Sequence, residues 1–410
     1  RDAVPVLRSL RGLAALIVLG GAVAPALALA QQPAGAKPDS VVQRDLMDVI
    51  SRVLHGQPKL ADTIELPPKV VVTVLPAISA NPTVGVLLGV SGNVVTRLGD
   101  DEATNLSTIS ASVSYTTKSQ FNLLLRSNIY APGNAWKLEG DWRYLDTNQP
   151  TYGLGPALPS GLEAPMDFKL LRLYETVYRE VVPNVLVGVG YHLNYYFGIV
   201  DHNAAQGLTP FLTYYSGQPV TATTSSGFSF NILNDTRDNP INPKKGHYVR
   251  GGVHIYPTWL GSDDDWQSIE AEYRTYHRAG AGGRNVLALW GLAWFTMGRA
   301  PYLDLPAIGW DYSNRMGRGY AQGRIRAGDL LYGEAEYRMT LTRNGMWGAV
   351  GFLNLTSASD DTGALQAPNL GGGVGLRLKL DKRSDTNITI DIGFGAQGSN
   401  GVFFGTNEAF

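Results

Sequence analysis

From about residue 69 to Phe410 the sequence alternates between apolar and polar residues in one short segment after another, with turn residues between the segments. A period of two places successive side chains on opposite faces of a β-strand. Most of the segments reach the roughly 9–11 residues that a tilted membrane-spanning strand needs. We predict sixteen strands, at 70–78, 84–97, 105–117, 119–131, 135–148, 167–181, 184–198, 222–236, 247–258, 265–279, 285–298, 326–341, 345–356, 370–382, 387–397 and 401–410.

The alternation assigns a chemistry to each face of the predicted sheet. In the fourteenth segment Val374 and Leu376 fall on one face, while Arg377 falls on the other. An apolar face towards lipid and a polar face towards an enclosed lumen are typical of membrane β-barrels, as is a chain with 17% charged residues and 10% aromatic residues. We therefore predict an all-β fold, a 16-stranded antiparallel transmembrane β-barrel (residues 69–410). Both signs of charge fall on its lumen face, which favours a closed or plugged interior.

The connections between the predicted strands alternate between short and long. Residues 181–184, 343–345 and 382–386 make tight turns, whereas residues 149–166, 199–221, 299–325 and 357–369 make long loops. Short turns lie on the periplasmic side of outer-membrane barrels and long loops lie outside. With the N-terminus in the periplasm, every long loop falls outside and the terminal Phe410 returns to the periplasm.

The first 68 residues have a different character. A basic start, the apolar run 13–24 and the small residues 28–30 predict a signal peptide over residues 1–30. For residues 31–68 we predict a periplasmic linker with one short amphipathic helix, capped by Asp39 or Ser40 and ending near Leu54. This helix either gates the periplasmic mouth of the barrel or only tethers the chain to it.

Several classes of function find no support in the sequence. The chain has no cysteine and a formal net charge of −1, so neither a disulfide framework nor nucleic-acid binding is indicated. Its six histidines lack the spacing of a metal-binding motif, and no GxSxG elbow is present. We expect no enzymatic activity, no catalytic residue, no metal and no cofactor.

A turn and a loop carry the distinctive motifs. The segment 235–246 (DTRDNPINPKKG) stands at a predicted periplasmic turn, where its Asp, Asn and Pro residues fix the local backbone. We assign it a structural role, through Asp235, Arg237, Asp238, Pro240 and Gly246.

The loop 299–325 is long enough to be functional and carries Arg318, Gly319 and Tyr320. Folded back into the lumen, Arg318 would pair with carboxylates of the next strand, for which Glu334 and Glu336 are the nearest candidates. Otherwise the loop lies on the surface with solvated arginines.

These motifs, with the segment 336–338 (EYR), resemble in order and placement those of the BamA/TamA-like outer-membrane assembly-factor superfamily, also called the bacterial surface antigen family. The resemblance covers about residues 69–410. It implies that the loop arginine pairs with an acid on the thirteenth strand, but Asn354 stands there and offers a neutral acceptor instead. Residues 31–68 are too few for the POTRA domains that usually precede the barrel, so the chain resembles a barrel-only branch.

The predicted first strand contains Pro76, which cannot donate to a ladder and belongs at an edge or bulge. Its partner at closure would be the last strand, with Gly405 and Phe410. We therefore predict a weak lateral seam between the two strands, the alternative being an ordinary closure with one bulge.

Two functions follow as hypotheses for a protein of the bacterial outer membrane. The first is assistance in the insertion or translocation of polypeptide or lipid through a plugged lumen and a lateral seam. The second is a passive channel or structural barrel. Expected partners are membrane lipid, lipopolysaccharide and an unfolded client polypeptide, and the sequence leaves open a second copy of the chain or a periplasmic protein.

Overall fold

The structure, a computed structural model, describes residues 43–55, 70–81, 85–99, 104–155, 163–207, 209–382 and 384–410. The predicted signal peptide, residues 1–30, and the predicted helix caps Asp39 and Ser40 lie outside these residues. The described residues fold into one antiparallel sheet in which each strand pairs with its neighbours in chain order. The prediction of an all-β antiparallel fold is thus confirmed.

Within the described residues the sheet contains sixteen strands, whose bounds lie within a few residues of those predicted from the alternation. Two helices accompany it, α1 (Leu46–His55) and the short α2 (Pro210–Tyr214). The strands are β1 Val70–Asn81, β2 Gly85–Thr96, β3 Ser107–Thr116, β4 Phe121–Tyr130, β5 Trp136–Asn148, β6 Met166–Val182, β7 Val185–Asp201, β8 Ala222–Asp235, β9 Gly246–Tyr256, β10 Trp266–Ala279, β11 Asn285–Gly298, β12 Asp329–Thr340, β13 Trp347–Ala358, β14 Asn369–Asp381, β15 Thr386–Phe394 and β16 Asn400–Thr406.

Burial alternates along the strands as the sequence pattern requires. On β14, Val374 and Leu376 are exposed while Arg377 is buried, and on β10 Tyr273 is exposed while Arg274 is buried. The exposed apolar face is the outer face, and the charged face lines the lumen. No helix among the described residues is long and apolar enough to cross a bilayer.

The two edges of the sheet approach each other without pairing. The ladder runs from β1 to β16, and β1 and β16 lie side by side with Cα atoms within 8 Å. Between the described residues of these two strands, however, the structure contains no paired register. The predicted pairing of the first strand with the last is therefore wrong for this structure. Pro76 lies on β1 opposite Val90 of β2, and β1 has this one partner strand.

The end of the chain departs from the prediction of a strand over 401–410. β16 ends at Thr406, because Asn407 adopts a left-handed backbone conformation with φ 69°. Phe410 consequently leaves the sheet and is buried in the lumen, where its ring lies 5.2 Å from that of Trp290. Its backbone oxygen accepts a hydrogen bond of 2.6 Å from Arg338. The prediction that Phe410 lies at the seam is therefore wrong. The predicted seam residue Gly405 does lie on the edge strand, opposite Thr389 of β15.

We call the end of the sheet that carries the connections 183–184 and 341–346 the turn end, and the opposite end the loop end. Helix α1 lies at the turn end, and Asp45 caps it by accepting a 2.7 Å hydrogen bond from the backbone of Asp48. Asp48 in turn bonds the amino group of Lys382 at 2.8 Å. The described helix therefore begins later than predicted, at Leu46, with Asp45 as its cap.

Candidate functional site: the inner loop and its arginine

The connection between β11 and β12, residues 299–328, folds into the lumen, and we call it the inner loop. Hydrogen bonds attach it to several strands of the sheet. Arg126 of β4 donates to the backbone oxygen of Tyr312 at 3.0 Å, and Arg143 of β5 donates to Asn314 at 3.0 Å. Tyr196 of β7 donates to the backbone oxygen of Leu303 at 3.2 Å. The loop therefore occupies the lumen and is not a surface loop.

A buried carboxylate fixes the first part of the inner loop. Asp304 accepts hydrogen bonds from Asn194 of β7 at 2.7 Å and from Ser225 of β8 at 2.6 Å. Burial raises the pKa of Asp304 to about 6, although the hydrogen bonds from Ser225 and Asn194 act in the opposite direction. Arg326 holds the loop's own backbone by donating to the oxygens of Tyr302 and Leu303 at 2.9 and 3.0 Å.

Arg318 of the inner loop contacts three carboxylates. Its guanidinium donates to Asp391 of β15 at 2.8 Å and also bonds both Glu334 and Glu336 of β12. The Phe352 ring lies against the opposite side, with its centroid 3.8 Å from Cζ of Arg318. All three carboxylates are buried, so each depends on cationic partners for its charge.

A second layer of arginines supports the same carboxylates. Arg338 donates to Glu336 at 2.6 Å, and Arg377 donates to Asp391 at 2.6 Å and to Glu408 at 2.8 Å. Glu408 also accepts from the amide of Asn387 at 2.6 Å. We call Arg318, Glu334, Glu336, Asp391, Arg338 and Arg377 the ion-pair cluster; it joins the inner loop to β12, β14 and β15.

The backbone next to Arg318 lies directly on β15. Gly319 adopts φ 106°, and a Cβ atom there would come within 2.7 Å of the Phe394 backbone oxygen. A Cβ atom on Gly393 would come within 2.7 Å of the Gly319 nitrogen. Two glycines therefore allow loop and strand to touch backbone to backbone.

Tyr320 fastens the loop on the other side of Gly319. Its hydroxyl donates to the backbone oxygen of Leu370 on β14 at 2.8 Å and accepts from the backbone of Ala396 at 2.9 Å. The side chain is buried. Arg318, Gly319 and Tyr320 thus contact the four consecutive strands β12 to β15 and the connection 395–399.

The structure brings Arg318 together with Glu334 and Glu336, as the sequence predicts, but it uses Asn354 differently. Asn354 does not accept from the guanidinium; its amide donates to the backbone oxygen of Arg318 at 3.0 Å. Sequence reasoning missed Asp391 as the third carboxylate, although the alternation on β15 already places this residue on the lumen face. The missing information was the path of the loop, which decides which strands it meets.

The predicted turn motif is a hydrogen-bonded turn at the turn end. Arg237 binds Asp235 through two hydrogen bonds of 2.9 and 2.7 Å, and Asp238 accepts from the backbone of Lys244 at 2.9 Å. Arg237 also donates to the backbone oxygen of Pro240 at 3.4 Å. Gly246 has φ 96°, and a Cβ atom there would lie 2.3 Å from the Thr236 oxygen.

This turn also reaches across to another part of the sheet, which the sequence did not indicate. Lys244 pairs with Asp385 between β14 and β15 at 2.7 Å, and Asn239 donates to the backbone oxygen of Ser384 at 3.3 Å. The turn therefore spans part of the turn end of the lumen. Among the described residues no group of three or more His, Asp or Glu side chains is arranged to hold a metal ion.

No protein-family model matches the sequence, and no curated protein matches it either. Solved structures do match. BamA from Haemophilus ducreyi lacking POTRA domains 1-3 is 12% identical with a TM-score of 0.55, and the match covers 82% of this chain and 70% of that one. CdiB from Acinetobacter baumannii is 13% identical with a TM-score of 0.50, covering 83% of this chain and 59% of that one.

CdiB from Escherichia coli is 10% identical with a TM-score of 0.50, and the match covers 81% of this chain and 62% of that one. The chain thus spans less than two thirds of the length of either CdiB protein. At these identities the likeness concerns the fold. The predicted resemblance is confirmed at that level: the chain has the fold of the bacterial outer-membrane β-barrel proteins BamA and CdiB.

Proposed function

We propose that this protein is an outer-membrane barrel that assists the insertion or translocation of polypeptide, with the inner loop as an internal plug and the β1–β16 edges as a lateral seam. The observation that carries the proposal is the attachment of the inner loop to one side of the lumen by Arg318, next to two strand edges that do not pair. Lipid is the alternative substrate that the same inner loop and lateral seam would handle.

The contents of the lumen argue against a passive channel. The inner loop fills the loop end, while the 236–245 turn and the buried Phe410 lie towards the turn end. A solute that crossed the lumen would have to displace the loop and separate Arg318 from three buried carboxylates. Removing a partner from a buried ion pair costs about 3–5 kcal/mol, so spontaneous opening would be rare.

The sheet edges offer what an incoming strand needs. Edge strands expose rows of N–H and C=O groups, and extended segments bind such edges by adding a strand. β1 carries outward Val70, Val72 and Val74, all exposed, and Pro76, which lacks a donor. We expect a client segment in extended conformation to pair here before it enters the bilayer.

The remaining roles are part of the same proposal. The inner loop is held as a plug by Arg318, Gly319 and Tyr320. Their binding partners on the strands include Glu334, Glu336, Asp391 and Asn354. The 235–246 turn is structural, and we propose no catalytic role for any residue. Expected partners are membrane lipid, lipopolysaccharide and an unfolded client, with a second copy or a periplasmic protein as further candidates.

The test is the rate at which an unfolded barrel client inserts into liposomes that contain this protein. We expect the wild-type protein to accelerate insertion over empty liposomes and Arg318→Ala to lose most of that acceleration, because the loop would no longer be held in place. Arg343→Ala is the matched control, since Arg343 is an exposed turn residue.

Failure of both wild type and control to accelerate insertion would overturn the insertion proposal and leave translocation, a channel or a structural barrel. Planar-bilayer recordings separate these outcomes. A wild-type protein that conducts ions continuously would contradict the plugged lumen, whereas conductance that appears only in Arg318→Ala would support it.

A further inference from the structure

The outer face of the barrel carries a carboxylate among apolar side chains. On β6 the outward residues from Leu171 to Val177 are apolar except for Glu175. Its register neighbours are Gly140 on β5 and Tyr191 on β7. The large side chains around it, Leu138, Trp142, Val177, Val189 and Tyr191, are all at least 41% exposed, so this region is an outward apolar surface.

Glu175 lies near the middle of this surface along the barrel axis. Lys169 and Arg179 are the outward cations of β6, and ten residues separate them. At a rise of about 3.3 Å per residue and a tilt of about 40°, they are about 25 Å apart in height, which matches the apolar band of membrane barrels. Glu175 stands between these rims, six residues from Lys169 and four from Arg179.

The carboxylate sits in a small polar site. The indole nitrogen of Trp142 donates to one oxygen of Glu175 at 2.8 Å. A Cβ atom on Gly140 would come within 2.8 Å of that oxygen and within 2.7 Å of the Ser127 hydroxyl. Because position 140 is glycine, a notch remains in which Glu175 leans towards Ser127. Trp142 thus stabilises one oxygen, and the other has no hydrogen-bond partner among the described residues.

We propose that Glu175, with Trp142, Ser127 and the notch at Gly140, is a docking site for a membrane-embedded segment of another protein that presents a lysine or arginine side chain at mid-depth. A carboxylate in the hydrocarbon region is costly, and such residues mark functional sites whose partner restores charge balance. A single indole donor leaves the negative charge of Glu175 without a cation. A lysine or arginine side chain would supply the missing positive charge. In the low dielectric of the bilayer this cation and the Glu175 carboxylate attract each other strongly.

Charge complementarity also argues against a second copy of this chain as the occupant. The outward cations of β6 lie at the two rims, and β5 and β7, which the structure describes in full, carry no outward lysine or arginine. Two copies facing each other through this surface would therefore bring together two carboxylates and neutral groups. The bilayer fixes the height of both molecules, so a rim cation of one copy cannot reach mid-depth of the other.

The test measures binding of a synthetic helix in neutral phosphatidylcholine vesicles. The probe is a membrane-spanning leucine/alanine helix with one central lysine and an acceptor dye, compared with the same helix bearing a central leucine. The chain has no cysteine, so Val181→Cys gives a single site for the donor dye at the turn end of β6. We expect energy transfer to report at least about tenfold tighter binding of the lysine helix.

Glu175→Gln should abolish the preference for the lysine helix, because the amide keeps the Trp142 hydrogen bond but loses the charge. Asp146→Asn is the matched control on the same outer surface, since Asp146 pairs with Lys169 at 3.4 Å near the loop end. Three results would each overturn the proposal: equal binding of both helices, an equal loss in Asp146→Asn, or Glu175-dependent association of two labelled copies without any helix. Heat-dependent gel mobility verifies that each variant is folded, and none of these outcomes depends on the insertion assay.

Discussion

The two sides of the lumen hold their shape by different means. The strands β1, β2 and β3 contain no charged residue, and the inward positions 108, 110, 112, 114 and 116 of β3 are all serine or threonine. The strands β12, β14 and β15 carry the ion-pair cluster, and the inner loop docks on them. We call these the uncharged wall and the charged wall.

Under the proposed function, this difference would separate two tasks within one sheet: holding the inner loop and opening at the edge. The charged wall is tied to the inner loop by contacts that are costly to break, because loss of Arg318 would leave the buried Glu334 without its cationic partner. The uncharged wall is held by its ladder and by neutral side-chain hydrogen bonds such as that from Ser110 to Asn93 at 3.2 Å, and β1 has one neighbour where an interior strand has two. Opening at the β1 edge would therefore leave the docking of the inner loop intact. The predictions below test that separation.

Arg318→Ala should produce the largest effect on the charged wall. It leaves Glu334, Glu336 and Asp391 buried around a vacancy, and we expect a loss of about 3–5 kcal/mol in the free energy of unfolding. Urea titration in lipid vesicles measures this loss. Arg318→Lys should recover part of it, since one ammonium cannot contact three carboxylates with the geometry of a guanidinium.

The exposed Arg343→Ala serves as the reference for the urea experiment, with an expected change within about 0.5 kcal/mol. Equal midpoints for Arg318→Ala and Arg343→Ala would mean that the cluster does not hold the loop, and the distinction between the walls would lose its basis.

Gly393→Ala should perturb the charged wall less than Arg318→Ala. The new methyl group would meet the backbone of Gly319 at 2.7–2.8 Å, so loop and strand must separate locally. Overpacking of this kind costs about 1–3 kcal/mol. The urea midpoint should fall, and limited proteolysis should cut within residues 299–328 faster than in the wild type.

Gly351→Ala is the matched control for this substitution, because a Cβ atom there has nothing within 4 Å. It should behave as the wild type in both assays. A similar loss in both variants would show that any side chain added to the sheet is harmful, and the close approach of Gly319 and Gly393 would then have no special importance.

The strands and the inward carboxylates can be predicted from the sequence, for a physical reason. A period of two is a local property, so the strands and the inward positions of Glu334, Glu336 and Asp391 follow from alternation alone. The loop arginine then needs a carboxylate, and the nearest ones along the chain lie on β12.

The parts that the sequence did not reveal depend on where separate segments meet. Asp391 lies on the fourth strand after the loop, and only the path of the loop brings Arg318 to it. Asn354 was predicted to accept a hydrogen bond from the Arg318 guanidinium, but its amide donates to the Arg318 backbone oxygen instead. The inward turn of Phe410 depends on a single left-handed residue, Asn407, which no alternation predicts.

Hydrogen exchange compares, within the unmodified protein, the uncharged wall with β13, the strand that lies between β12 and β14 of the charged wall. We expect the backbone amides of β1 to exchange at least about tenfold faster than those of β13, which corresponds to about 1.4 kcal/mol less opening free energy. The reason is that β13 pairs on both sides, with β12 and β14, whereas β1 pairs only with β2. Equal protection of β1 and β13 would contradict an open seam and favour closure by pairing with β16.

The smallest effect should come from Tyr320→Phe, which tests how much of the loop's attachment is neutral and how much is ionic. The substitution removes one hydrogen bond to the Leu370 oxygen and one from the Ala396 backbone, and we expect a loss of about 1 kcal/mol in the free energy of unfolding. Tyr337→Phe is the control, because the Tyr337 hydroxyl accepts an exposed hydrogen bond from Asn285 at the turn end. If Tyr320→Phe cost as much as Arg318→Ala, neutral contacts would hold the inner loop, and charge would not be what attaches it to the charged wall.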